Sequence, residues 1–174
     1  MENGPRPARR FRFPKTALLL AVAAGCGATL FAGYSYGTRI NLNREHQVGD
    51  RIDSLNGVAI YFNGGVNNVV GRHLSADGYN LGMRYQCVEF VKRYYYERFA
   101  PRMPDSYGHA RDFFDDAVPD GALNPRRALL QFANGKRTGP PQPDDIVVFG
   151  PSPFNPYGHV AIVTTTNPAS IEIA

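Results

Sequence analysis

Tyr85-Gln86-Cys87-Val88-Glu89-Phe90-Val91-Lys92-Arg93 decides how the rest of this chain is read. Gly82 and the polar residues Arg84 and Gln86 precede the cysteine, and Val88, Val91, Tyr95 and Phe99 follow at intervals of three, four and four. The spacing predicts a helix that starts at or beside Cys87. At such a start the first N–H groups lack intrahelical partners and the dipole is positive, which favours a thiolate over a thiol. The thiolate is the nucleophilic form of cysteine. A cysteine on a helix is more commonly a small core residue, so a reactive role for Cys87 requires a histidine partner elsewhere in the chain.

Charge narrows the classes of partner. The sequence pI is about 9.2, which invites a nucleic-acid reading. Five of the 19 basic residues (Arg6, Arg9, Arg10, Arg12 and Lys15) and one of the 15 acids (Glu2) lie within residues 1–15. Removing them leaves 14 of each sign, so the body of the protein is formally neutral and offers no basic face for nucleic acid.

Residues 16–33 carry no charge and are just long enough to span a bilayer. Cations before an apolar run are the layout of a secretory signal or an uncleaved signal anchor. The glycines within it and the flanking cations disfavour a buried core helix. A third reading is lipid attachment at Cys26, after the small residues Ala23, Ala24 and Gly25. All three place the remainder outside the cytoplasm, with residues 1–15 as a basic cytoplasmic tail, 16–36 in the membrane and 37–50 as a linker. Cys87 is then left without an obvious disulfide partner, as a working thiol would be.

Within residues 51–174, Val58–Phe62 reads as a strand and the Gly- and Asn-rich segment 63–82 as a loop leading to the Cys87 helix. Shorter helices are expected over His109–Asp116 and over Arg126–Phe132, the latter with Pro125 at its first turn. Ile146–Phe149, Val160–Thr164 and Ile171–Ala174 are β-branched, turn-bounded runs and read as strands of one sheet. Helices first and strands later predict an α+β fold. Of the four histidines, His46 and His73 fall in polar or Gly-rich connections and read as solvated, and His109 begins a short helix. His159 differs, because it follows Tyr157-Gly158 and opens the strand Val160-Ala161-Ile162-Val163. An imidazole on a sheet edge facing a helix-start cysteine is the Cys–His arrangement of papain-like enzymes.

Three segments then line up in order: Gln86-Cys87-Val88-Glu89-Phe90, Asp144-Asp145-Ile146-Val147-Val148-Phe149 and Gly158-His159-Val160-Ala161-Ile162-Val163. Together they resemble the CHAP family (cysteine, histidine-dependent amidohydrolases and peptidases) over roughly residues 50–174. Leu129-Leu130-Gln131-Phe132-Ala133-Asn134-Gly135 also resembles the amidase domain of glutathionylspermidine synthetase/amidase, a CHAP subgroup. Asp144 stands where the family pattern has Gly. The resemblance implies a papain-like α+β fold, with the nucleophile at a helix start packed on a small antiparallel sheet. It implies Cys87 as nucleophile and His159 as general base, with the Cys87 backbone N–H in the oxyanion hole and Gln86 as a second oxyanion donor. No cofactor is implied, and metal chemistry is disfavoured because no H-E-x-x-H or paired Cys ligand spacing is present and Asp112, Asp115 and Asp116 read as a solvated helix face.

In this family a Glu, Gln or Asn on the next strand orients the histidine. That residue would fall at position 175, one past Ala174. Glu172 is on the opposite face by strand alternation and is not assigned. The expectation is therefore either a chain that continues or a site without its orienting residue. The functions implied are an exported amidohydrolase cutting peptidoglycan peptides, an amidase of a small conjugate such as glutathionylspermidine, or a catalytically weak wall-binding module. The partners are a peptide substrate and, through residues 16–36, a membrane.

Overall fold

The computed structural model describes residues 14–100, 102–136 and 139–174, and the cations of the basic tail before Pro14 lie outside them. The chain forms two compact units, up to Thr38 and from Arg39 to Ala174. In the first, Pro14 sits at the N-cap position with φ −62°, the value its ring imposes. Helix α1 follows over Lys15–Gly37, with none of its 23 residues buried. At 1.5 Å per residue it is about 35 Å long, enough for a hydrocarbon layer of about 30 Å. By length and composition it could cross a membrane.

The second unit is built from antiparallel pairs and one main helix. Strands β1 (Arg51–Leu55) and β2 (Val58–Tyr61) form a hairpin. Its two-residue turn is Asn56-Gly57, both at positive φ (49° and 89°), the conformation that matches the right-handed twist of the flanking strands. Strands β3 (Arg72–Leu74) and β4 (Asn80–Met83) make a second hairpin inside the segment expected to be loop. Helix α2 covers Cys87–Phe99, so the predicted start at Cys87 is where the helix begins. A short 3-10 helix spans Ala110–Phe113, followed by the small ladder of β5 (Leu123–Asn124) and β6 (Leu129–Leu130). Strands β7 (Ile146–Phe149), β8 (His159–Asn167) and β9 (Ser170–Ile173) form an antiparallel sheet with β8 in the centre. The α+β expectation holds.

Two predicted helices do not form. Over 109–116 only the 3-10 turn exists, because Asp112 turns back to accept the His109 N–H at 2.7 Å and the Arg111 N–H is given to the Tyr157 carbonyl. Over 126–132 the chain bends at Ala128 (φ 56°). The buried Arg127 donates to the carbonyls of Asp105 (2.7 Å), Tyr107 (3.3 Å) and Asp112 (3.1 Å). Pairing the two terminal nitrogens of that guanidinium overrides local helix preference, although its Nε stays buried without a partner.

The core joins α2 to the sheet: Phe90, Val91 and Tyr94 pack with Val58, Met103, Phe113, Val160 and Ile162. The buried face of α2 is thus offset from the stripe read in the sequence, and Phe99 is exposed. Glu89, Lys92 and Arg93 are buried as well, each with partners. Lys92 Nζ donates to the carbonyls of Asn80 and Ser106 and lies 4.7 Å from the centre of the Tyr79 ring. Burial, with the positive Arg127 nearby, pulls the Lys92 ammonium down to about 8.

One glycine fixes how closely β4 approaches α2. Gly82 has φ 136°, and a Cβ there would lie 3.2 Å from the Glu89 backbone, two residues beyond Cys87. Gly82→Ala combines backbone strain with a backbone clash and is expected to destabilise this unit by about 1–3 kcal/mol. Thermal denaturation checks this, and an unchanged midpoint would contradict the close packing.

Candidate active site

Cys87 is half-buried at the first turn of α2. Its N-cap, Gln86, has extended backbone (φ −80°, ψ 156°), and the preceding residue, Tyr85, is held at φ 68°. That kink turns the chain from β4 into the helix and brings the thiol to the sheet. The backbone N–H groups of Val160, Val88 and Cys87 itself lie near enough to the sulfur to favour its charged form. Val160 follows His159, so the thiol lies against the start of β8. Both Cys87 and His159 line one cleft of about 900 Å³. The cleft is walled by residues 62–67 and by the segment 106–110.

His159 stands on the exposed end of β8, paired with Phe149 across the ladder and with its ring 5.9 Å from that of Phe149. Among the described residues no carboxylate or amide hydrogen-bonds the imidazole. Ala174 and Ile162 exchange both backbone hydrogen bonds, each 2.9 Å. Strand β9 therefore runs antiparallel to β8 and is headed toward His159. Glu172 is exposed and pairs with Thr165.

Burial pushes the Cys87 thiol above its ordinary value, outweighing the pull of the three N–H groups. This reverses the net direction expected from the helix start alone. Desolvation lowers His159 below its ordinary value. Each shift favours the uncharged form, so the resting pair is thiol and neutral imidazole, and deprotonation of sulfur has to accompany attack. Iodoacetamide alkylation of Cys87 is accordingly expected to accelerate as pH rises into and past the ordinary thiol range. A rate already on its plateau at neutral pH contradicts this.

The other candidates are placed differently. Gln86 lines the cleft, but its Nε2 donates to the Asn68 carbonyl at 2.7 Å and its Oε1 accepts from Asn63 Nδ2 at 3.3 Å. One of its two amide hydrogens is committed to holding the 63–68 loop, against its expected use as an oxyanion donor. His73 is not a solvated loop residue. It belongs to β3, and its Nδ1 is 2.7 Å from Glu89 Oε1. His109 lines the cleft with its ring 4.9 Å from that of Tyr157, and His46 packs on Phe62 at 5.7 Å. The sequence reading missed Glu89, a buried acid beside the nucleophile. Its signal was an acidic residue inside the most apolar stretch of α2.

Comparison with known proteins agrees with this geometry. The model of the CHAP domain matches residues 77–174, more than half of the chain. The chain is 38% identical over 100 residues to glutathionylspermidine synthase of Crithidia fasciculata, covering 54% of this chain and 13% of that protein. It is 32% identical over 88 residues to trypanothione synthetase of the same organism, covering 51% and 13%. The chain thus spans only a small part of the length of the curated relatives it matches. Because the matched segment runs through α2, β7, β8 and β9, and carries both the thiol and the imidazole that share the cleft, the chain belongs to the CHAP domain family, a family of amide hydrolases.

Proposed function

We propose that the chain is an exported cysteine amide hydrolase, with Cys87 as nucleophile and His159 as base and then acid, acting on peptides of the cell envelope. The observation that carries this reading is the placement of the Cys87 sulfur against the Val160 N–H, one residue from His159, in a shared cleft. His159 takes the thiol proton as sulfur attacks the amide carbonyl, and the oxyanion accepts from the Cys87 backbone N–H. The tetrahedral adduct collapses as the imidazolium gives its proton to the leaving amine, leaving a thioester on Cys87. Water then attacks the thioester, giving its proton to His159. Collapse releases the acid and restores the thiol. Since only the neutral imidazole can accept the first proton and its pKa is lowered, kcat/KM is expected to rise with pH through a midpoint below 6.5. A midpoint above 6.5 contradicts this role for His159.

The apolar helix α1 supports placing the hydrolase unit outside the cytoplasm, with residues 1–15 as a cytoplasmic tail, 16–36 as anchor, 37–50 as linker and 51–174 as the hydrolase domain. There, peptidoglycan stem peptides and cross-links are the abundant amides. The names of the two relatives favour a second reading, hydrolysis of a peptide–polyamine conjugate such as glutathionylspermidine. Incubation of the purified chain with muropeptides and, separately, with glutathionylspermidine decides between them by mass spectrometry. Cleaved muropeptides support the first reading, and spermidine release alone supports the second. No turnover of either, with retention on wall sacculi, supports a binding module.

A further inference from the structure

Leu42 lies shortly after the end of α1 and is 80% exposed, more than any other large apolar side chain described, those of α1 included. It is not on a loose tether. Asn41 Oδ1 accepts the Asn43 N–H at 2.9 Å, and Asn43 Oδ1 accepts the Glu45 and His46 N–H groups at 2.7 and 3.1 Å. Asn41 Nδ2 donates to the His46 carbonyl at 2.7 Å. These bonds close residues 41–46 into a compact turn that holds the leucine out from it. Val69, which lines the Cys87 cleft, and Val70 beside it are 62% and 50% exposed. Their loop is packed on the same turn. A Cβ on Gly64 would lie 3.7 Å from Asn41 Cβ and 3.5 Å from Asn68 Nδ2, so the chain neighbours of Leu42 and Val69 meet at one point. The loop is also fixed to the start of α2, because Gln86 Nε2 donates to the Asn68 carbonyl at 2.7 Å.

Apolar side chains held rigidly in water are stabilised by whatever covers them. Chain length favours a bilayer. Helix α1 exceeds a hydrocarbon layer of about 30 Å, which leaves Gly37 at the level of the headgroups. Leu42 is five residues further on, a reach of about 18 Å at most. Leu123 and Leu130, an exposed apolar pair across β5 and β6, have no such tie in sequence. Charge agrees. Residues 62–71 carry none, so nothing in the loop opposes contact with lipid. Arg44 in the turn is exposed, as is Arg84, whose backbone N–H donates to the Gly71 carbonyl at 2.9 Å, next to Val70. Neither guanidinium has an ion-pair or side-chain hydrogen-bond partner among the described residues. Of the acids in the same segment, Asp50 turns back to accept the Gln47 N–H at 2.6 Å, and Glu45 makes no ion pair with Arg44. Guanidinium groups pair with phosphate through two hydrogen bonds at a time. Apolar side chains bordered by free guanidinium groups match the boundary between lipid headgroups and acyl chains.

We propose that Leu42, Val69 and Val70, with Arg44 and Arg84, form a face that rests on the surface of a phospholipid bilayer. The proposal rests on the reading of α1 as a membrane anchor, which holds the face at high effective concentration beside lipid, so that a weak contact suffices. Because Val66 and Val69 also line the Cys87 cleft, the contact brings the mouth of the cleft to the lipid surface. Hydrolysis is thereby directed to amides held at that surface.

The test uses the full-length chain with Cys26→Ala, Cys87→Ala and a single Val70→Cys. It is labelled with an environment-sensitive fluorophore and reconstituted in vesicles of phosphatidylethanolamine and phosphatidylglycerol. A second chain carries the label at Ala169→Cys instead, between β8 and β9 at the end of the sheet away from His159. Lipids bearing a shallow spin-label quencher are expected to quench the label at 70 at least about threefold more than the label at 169. Leu42→Glu together with Arg44→Glu, both at exposed positions, is expected to bring quenching at 70 down to the level at 169 with the thermal midpoint unchanged. Equal quenching at the two positions, or quenching at 70 that ignores the Leu42→Glu and Arg44→Glu changes, overturns the face. Shielding of position 70 from aqueous iodide without lipid quenching means that a second copy of the chain covers it, and overturns the proposal too. Washing the vesicles at alkaline pH separates the face from the anchor. A chain that resists the wash with position 70 unquenched keeps the anchor and loses the face. A chain stripped by the wash, yet quenched at 70 beforehand, loses the anchor and keeps the face. A chain that never associates with the vesicles loses both.

Discussion

Cys87→Ala is expected to reduce amide hydrolysis to the uncatalysed background, a fall of about a million-fold in kcat, as for loss of a covalent nucleophile. The size follows from the chemistry, since without sulfur there is no thioester, and the imidazole has no thiol to deprotonate. Fold stability should barely change, because a half-buried cysteine at the first turn of α2 loses one atom on replacement by alanine. A shift within about 1 kcal/mol is expected. The measurement is turnover and thermal midpoint on the same preparation. Residual activity within tenfold of the parent would exclude Cys87 as nucleophile. Lost activity with an unfolded protein would make the residue structural.

Ile162→Ala is the complementary case, in which stability is lost and chemistry kept. Ile162 is fully buried on the central strand β8. It pairs with Ile146 on one side and exchanges backbone hydrogen bonds with Ala174 on the other. Its side chain belongs to the cluster that joins the sheet to Phe90, Val91 and Tyr94 of α2. Truncation removes buried methyl groups and leaves a cavity where strands on both sides limit collapse, so a loss of about 2–5 kcal/mol is expected. For a unit of this size that lowers the thermal midpoint by on the order of 10 °C. At 20 °C, below the transition, turnover should stay within a few-fold of the parent, because the backbone that carries His159 is retained. A midpoint within 2 °C, roughly, of the parent would show that the sheet does not depend on this contact.

The elements legible in the sequence were those whose local signals agree with their tertiary role. The helix start at Cys87 was legible from the polar Arg84 and Gln86 ahead of helical spacing. The strands read over 146–149, 160–164 and 171–174 were legible from β-branched residues between turns, and they form as Ile146–Phe149, His159–Asn167 and Ser170–Ile173. Where long-range partners decide, the signal was absent. The segment 126–132 has a helix-compatible composition, but Arg127 must reach three carbonyls of the 105–112 segment, and Ala128 takes a left-handed conformation to allow it. The β3–β4 hairpin was hidden by its glycines. Gly82 is there because α2 passes too close for a side chain, a reason no local pattern contains. Asn56-Gly57 is a hairpin signal in its own right, yet only the strand after it was read in the sequence, and β1 was not.

The candidate site divides in the same way. Cys87 and His159 were legible because each opens a regular element, and regular elements fix where their first residue points. Gln86 and His73 were not. Gln86 faces a loop whose position depends on Asn63 and Asn68, and His73 meets Glu89 only once the hairpin packs on α2. The direction of the Cys87 shift was also out of reach, because it turns on how deeply the sheet buries the sulfur.

The most direct test of the central claim, covalent catalysis by Cys87, is intact and peptide-level mass spectrometry of the full-length chain after acid quenching during turnover. The claim predicts an added acyl mass on the peptide that contains Cys87, lost on hydroxylamine treatment and absent from His159→Ala. Steady turnover with no acyl mass on that peptide, or an acyl group on any other residue, would contradict it.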